Sequence, residues 1–415
     1  MTSGCSMSAM REVFTPDHPD SIFIIIAIAL AALLGGCSDG EDHSPASRLQ
    51  ESVGANWNQY RQVHGLPGGG MAVYLETPAG RFYASSGMSE GVDQNTRFRI
   101  ASNTKTFTAA AIMLLDQQGK LHIDDSIVSR IPGQAIPYVP NTAQYNIPHK
   151  PDITIFQLLS HTAGVYDVDN NEIPPACPVP YAGHTYPEHI LAADLTHQFT
   201  PDELIAVDAT CQASFFAPGS DYHYSDTGYS MLATIIERVS GMPYDQFLAQ
   251  NLIGPNGLSS TSVTMLGTDQ SIPPPFNPGY VYDSGVMTDT TKDNMSLHIG
   301  EGNVISTPAD AARWVRRLIR GEAGPNTASI DAMTTPTAQS RQRDHNYGLG
   351  IDFIPGLGYG HTGANQGYLS LMVYDPAADV TTILYFNVWD VANLLTDQSH
   401  LLIRAARDAR AAVGY

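Results

Sequence analysis

The order of segments along this 415-residue chain predicts an α/β sandwich of the α+β kind. An antiparallel sheet is flanked by terminal helices, and an all-helical subdomain is inserted in its middle. Three observations lead there. Strand-like runs with period-two alternation occur early (residues 69–87) and late (346–389), while the stretch between them carries helix-period patterns. The chain closes on a helix-like run. Strands at the two ends therefore have each other as partners, and the middle forms a body of its own.

The elements follow in order. A polar stretch to about residue 48 leads through a helix-like segment into "GGMAVYLETPAGRFYASSG", two strands whose turn at Pro78-Ala79-Gly80 makes a hairpin. "FTAAAIMLL", residues 107–115, is apolar nearly all round, which predicts a buried helix. "DITIFQLLSHTAG" reads as a short helix stopped by glycine. Residues 165–220, rich in Pro, His and Asp, read as a long excursion with one helix near 201–209. Helices are expected at 226–239 and 244–252, and in "STPADAARWVRRLIRG", which opens on Ser/Thr-Pro and closes on Arg and Gly. "NYGLGIDFI", "GYLSLMVYD" and "VTTILYFNV" are three strands, the last two forming a hairpin around residues 376–379, and a closing helix spans 391–412.

Composition narrows the function. A formal charge of −20 excludes nucleic acid as a partner. The thirteen apolar residues 22–34 fit the core of a signal peptide, and the following Leu34-Gly35-Gly36-Cys37 resembles a lipobox whose cysteine carries lipid; an uncleaved anchor is the alternative. This divides the chain into a leader (1–37), a polar linker (38–48) and one hydrolase-sized domain (49–415). Arg11 is the lone basic residue before the apolar run, beside Glu12, Asp17 and Asp20, which departs from the usual leader. Cys5 goes with the leader, leaving Cys177 and Cys211, which form a disulfide in an oxidising compartment or stand as two thiols. None of the fourteen histidines sits in H-E-x-x-H or a comparable spacing, so neither metal nor cofactor is expected.

Chemistry centres on Ser102 and Lys105, three residues apart on one helix face just before the buried run. A desolvated amine loses its preference for the ammonium form and can take the serine proton as the oxygen attacks a carbonyl. The alternative makes Ser102 a helix cap and Lys105 a solvated first-turn residue. Two further motifs weigh between them: Tyr224-Ser225-Asp226 and His361-Thr362-Gly363.

With "LLSHTAG", "APGSDYHYSDTGY", "GLGI" and "GHTGANQGY" as connecting text, the chain over about 50–410 resembles the serine β-lactamase and penicillin-binding protein superfamily. Within it, the D-alanyl-D-alanine carboxypeptidase, class C β-lactamase and esterase branch is the nearest in pattern. The resemblance implies an acyl-enzyme on Ser102, with Lys105 as base and Tyr224 passing a proton to the leaving group. It gives His361 a part in the relay or in orienting substrate, and Thr362 and Gly363 contacts to substrate. The backbone N–H groups of Ser102 and Ala364 form the oxyanion hole. The expected partners are a small-molecule or peptidoglycan-type substrate and a membrane reached through the lipid anchor. Carboxypeptidase action on a D-Ala peptide is the first substrate reading and ester cleavage the second. A penicillin- or peptidoglycan-binding lipoprotein with little turnover is the non-enzyme rival.

Two positions depart from that pattern. Asp226 replaces the family's asparagine; it cannot donate a hydrogen bond, and it favours the ammonium of Lys105 unless Tyr224 is the main base. Asp352 and Ala364 stand where the carboxypeptidases hold the substrate carboxylate with arginine and threonine. Weak selection for a free C-terminus follows, unless Arg341 or Arg343 supplies the charge.

Overall fold

The computed structural model describes residues 43–415; the leader, the lipobox and Cys5 and Cys37 lie outside them. The hairpin at Pro78 forms as β1 (Met71–Thr77) and β2 (Gly80–Ser86), with Tyr74 opposite Tyr83. The late runs give β3 (Asp352–Ile354), β4 (Gly358–Asn365), β5 (Tyr368–Asp375) and β6 (Val380–Phe386). Together they make one antiparallel sheet in the order β2-β1-β6-β5-β4-β3, and Met71 opposite Phe386 joins the two ends of the chain.

Five helices organise the rest: α1 (Pro45–His64), α2 (Thr104–Gln117), α3 (Asp226–Ser240), α4 (Pro308–Ile319) and α5 (Ser399–Ala412). Strand alternation assigns the sheet faces. Met71, Val73, Leu75, Leu371 and Leu384 pack under the terminal helices through Trp57, Leu401 and Ala405. Ala72, Tyr74, Met372 and Ile383 face the other way, into a core shared with α2, α3 and α4. This is the sandwich and helical body expected from the segment order. Every residue of α2 from Thr104 to Leu115 is buried, as an apolar circumference requires. Sequence signals end the helices where they stand: the Ser225 hydroxyl caps α3, and Gly241 closes it in the left-handed region at φ 71°.

Several elements differ from the reading. "NYGLGIDFI" supplies only the three residues of β3, because Gly350 takes φ 70° and runs so close to α2 that a Cβ there would meet the Ala109 Cβ at 2.5 Å. The closing helix expected over 391–412 begins late: 391–393 are a turn and a π-turn at Leu394–Gln398 precedes α5, while Val388–Asp390 before it pairs in parallel with Tyr280–Asp283. The excursion holds a second helix, Tyr186–Leu191, beside Pro201–Cys211, and the sulfurs of Cys177 and Cys211 stand 2.05 Å apart. Among the described residues no helix is long and apolar enough to cross a membrane.

Candidate active site

Ser102 lies in a tight turn, Ala101–Asn103, that runs directly into α2. Ala101 is held at φ 50°, an unfavourable conformation for a residue with a Cβ. Asn103 braces the turn, donating from Nδ2 to the Ile100 carbonyl (2.8 Å) and to Ser370 Oγ (2.9 Å). Gly363 on β4 closes against the same turn; a Cβ there would stand 2.4 Å from the Ile100 oxygen. The close approach at this glycine is therefore strand against serine turn. It brings Ser102, Thr362, Gly363 and Ala364 to the wall of one cleft.

Lys105 is fully buried one helical turn on. Its Nζ donates to Ser102 Oγ at 3.2 Å and to both the carbonyl and Oε2 of Glu301 at 3.1 Å, and it pairs with Asp226 Oδ1 at 2.7 Å. The other oxygen of Glu301 meets His298 Nδ1 at 2.5 Å. Burial opposes a charge on His298, but the Glu301 carboxylate outweighs it and holds the imidazole pKa above its ordinary value. Two cationic groups thus alternate with two carboxylates, which offsets the cost of placing each ion out of water.

Tyr224 stands in the extended segment before the cap of α3, with Lys105 Nζ 4.8 Å from its ring centroid and the His161 ring stacked on it at 4.2 Å. A chain of hydrogen bonds continues along the wall and assigns each tautomer. His161 Nδ1 accepts from the Ser225 N–H (3.1 Å), so its Nε2–H faces the Tyr347 oxygen (3.3 Å). Tyr347 in turn donates to His361 Nε2 (3.0 Å), and His361 Nδ1–H donates to the Thr362 carbonyl (2.5 Å). Burial pushes the Tyr347 phenol well above its usual range, keeping it a donor. His361 is held by this chain with its ring 6.0 Å from that of Tyr224.

All of the motif residues, Ser102, Lys105, Tyr224, Asp226, His361, Thr362 and Gly363, gather here, with Ala364 beside them. Glu301, His161 and Tyr347 escaped the sequence reading. His161 and its stacking partner share the "LLSHTAG" and "HYSD" text, but Glu301, 196 residues from Lys105, has no local signal. Carboxylate oxygens of Asp167, Asp169 and Asp226 lie within 4.8 Å of one another and are the group that could hold a cation among the described residues. The Asn170 amide bridges two of them, donating to Asp167 and Asp226 at 2.9 Å each. Arg343 is engaged by Asp221, whose carboxyl its hydrogen bonds pull down to about 2, and Arg341 is exposed; neither lines the cleft.

The chain also resembles known proteins. The family profile described as Beta-lactamase matches residues 55–405. Penicillin-binding protein 4* of Bacillus subtilis (strain 168) is 27% identical over 70% of this chain, which spans only 60% of that relative's length. Penicillin-binding protein 4 of Amycolatopsis lactamdurans is 24% identical, with 83% of this chain and 87% of the relative covered. Among solved structures, a D-stereospecific amidohydrolase from Streptomyces sp. superposes with a TM-score of 0.69 at 25% identity, covering 87% of this chain and 98% of its own.

Proposed function

The chain belongs to the β-lactamase family, and from that premise we propose that it is an exported serine hydrolase that cleaves an ester or amide through an acyl-Ser102 intermediate. The observation that carries this reading is the 3.2 Å contact between Lys105 Nζ and Ser102 Oγ, inside a buried charge cluster at the edge of a cleft. The serine oxygen attacks the substrate carbonyl, and the backbone N–H groups of Ser102 and Ala364 receive the developing oxyanion.

The proton takes a route that the charges dictate. Asp226 and Glu301 both press on Lys105 and favour its ammonium, which has no room for another proton. Tyr224 then accepts the serine proton, its phenolate facing the Lys105 ammonium, and delivers it to the leaving group. Water repeats the cycle in reverse and releases the acid. Lys105 thus acts as the electrostatic partner of Tyr224 in place of the base that desolvation alone would make it.

Two features support export: the apolar run 22–34 followed by Cys37, and Cys177 and Cys211 at bonding distance, which suits an oxidising compartment. The D-stereospecific amidohydrolase among the neighbours favours a D-configured amide. Among the described residues no arginine or lysine lines the cleft, which favours an ester or another substrate without a terminal carboxylate. Incubation with a fluorescent penicillin and with p-nitrophenyl acetate, followed by intact-mass and peptide mapping, should give an adduct on Ser102. Ser102→Ala should give none and lose all turnover. Turnover retained by that variant, or a wild type that forms no adduct with either reagent, refutes the reading.

A further inference from the structure

Asp352 opens β3 with its backbone opposite Gly360, next to His361, and its side chain lines the cleft that Ser102 shares. It is half-buried, and the backbone N–H of Phe353, which donates to the Asn346 carbonyl at 3.1 Å, lies near enough to favour its ionised form. No lysine, arginine or histidine side chain pairs with it among the described residues. Two tyrosines stand in the same wall: Tyr222 and Tyr347, whose rings lie 6.1 Å apart. A carboxylate beside aromatic rings is a composition suited to an ammonium group, since the carboxylate supplies charge and the rings present their negative faces. Burial pushes the Asp352 carboxyl up to about 7. Its ionised form is thus held at a cost that an arriving cation removes.

The position in the cleft indicates which part of a substrate would carry that cation. Tyr224, the proton donor to the leaving group in the proposed mechanism, has its ring 6.1 Å from Tyr347 and 6.0 Å from His361. Tyr347 is bridged through its backbone to Asp352. A group departing past Tyr224 therefore meets the wall that Asp352 ends.

Resting on the hydrolase reading above, we propose that Asp352, with Tyr222 and Tyr347, forms a subsite for an ammonium group on the leaving side of the substrate. The preferred substrates are then esters or amides of amino alcohols or diamines, in contrast to peptides that end in a carboxylate.

Three esters of N-acetyl-D-alanine test this: with choline (cationic), with 3,3-dimethylbutanol (its neutral isostere) and with glycolate (anionic). Wild type should prefer choline over the isostere by tenfold or more in kcat/KM and disfavour glycolate. The choline preference should fall to near unity in Asp352→Asn, and Asp352→Arg should turn it toward glycolate. A measurement on wild type alone guards against variants that do not fold: tetramethylammonium should slow labelling of Ser102 by a fluorescent penicillin at concentrations where tert-butanol does not. Hydrolysis of the neutral ester with no preference for choline, or equal effects of the two small inhibitors, overturns the subsite while the hydrolase reading stands. Failure to cleave any of the three esters, with no labelling of Ser102, overturns both.

Discussion

Lys105 and Asp352 belong to the same site and are treated in opposite ways. Lys105 is surrounded by Ser102, Asp226 and Glu301, with His298 completing an alternation of charge. Asp352 lies beside the backbone of Phe353 and pairs with no cation among the described residues. A buried charge that finds its counter-ions inside the protein becomes rigid machinery, because moving either partner strands the other. A half-buried charge without one leaves its balance to protons or to a ligand. On the proposed mechanism, the difference separates the end of the cleft where bonds would be made from the end where substrates would be chosen.

The strongest break of that contrast is Lys105→Met, which removes the cation from between two carboxylates whose side chains are only 2% exposed. Acylation should fall by more than about a hundredfold, and chemical denaturation should show a loss of about 3–5 kcal/mol. An unchanged denaturation midpoint would mean that the cluster is not ionised. Tyr224→Phe should separate chemistry from stability. The rate should drop by about 10²–10⁴, while stability moves by less than about 1 kcal/mol because the ring is half-buried and Lys105 keeps Asp226 and Glu301 as counter-ions. A loss below tenfold would return the base role to Lys105.

Glu301→Gln acts on the link between the two cations. The carboxylate that overrides burial at His298 is gone, so the imidazole titration followed by NMR should shift down, toward or below its ordinary value. An unmoved titration would assign the effect to Asp293 instead, whose carboxylate is 3.9 Å from His298.

The last effect concerns Asp352 and pH. Its carboxyl sits at about 7 in the folded protein against 3.8 ordinarily, so the folded state binds the proton more tightly than the unfolded chain. That stabilisation is complete below about pH 4 and is lost as pH rises toward 7. Between pH 4.5 and 7.5 the wild type should therefore lose more stability than Asp352→Asn in paired denaturation curves. Parallel curves would place the carboxyl at its ordinary value.

Much of this was legible in the sequence because the signals act over three or four residues. Ser102 and Lys105 meet because i and i+3 share a helix face. Ser225 and Gly241 bound α3 through their own conformational preferences, and the alternation in "MVYD" and "VTTILYF" sorts the two faces of the sheet. The threat posed by Asp226 to Lys105 was also visible, since motif order already put them together. Two small three-stranded sheets, one of Phe98–Arg99, Val304–Ser306 and Ser262–Val263 and the other of Val388–Asp390, Tyr280–Asp283 and Val286–Asp289, were not, because strands of two to four residues carry too little periodicity to stand out from loops.

The sequence by itself determined which chemistry this chain carries: a serine beside a lysine, a tyrosine before a helix, and a glycine where a strand must touch the serine turn. Only the tertiary structure decided how the charges are shared, adding Glu301 to Lys105, joining His161, Tyr347 and His361 in one chain, and leaving Asp352 without a cation. The reason is physical. Local pattern is written in backbone geometry, whereas Coulomb balance and desolvation depend on distances between residues nearly two hundred positions apart.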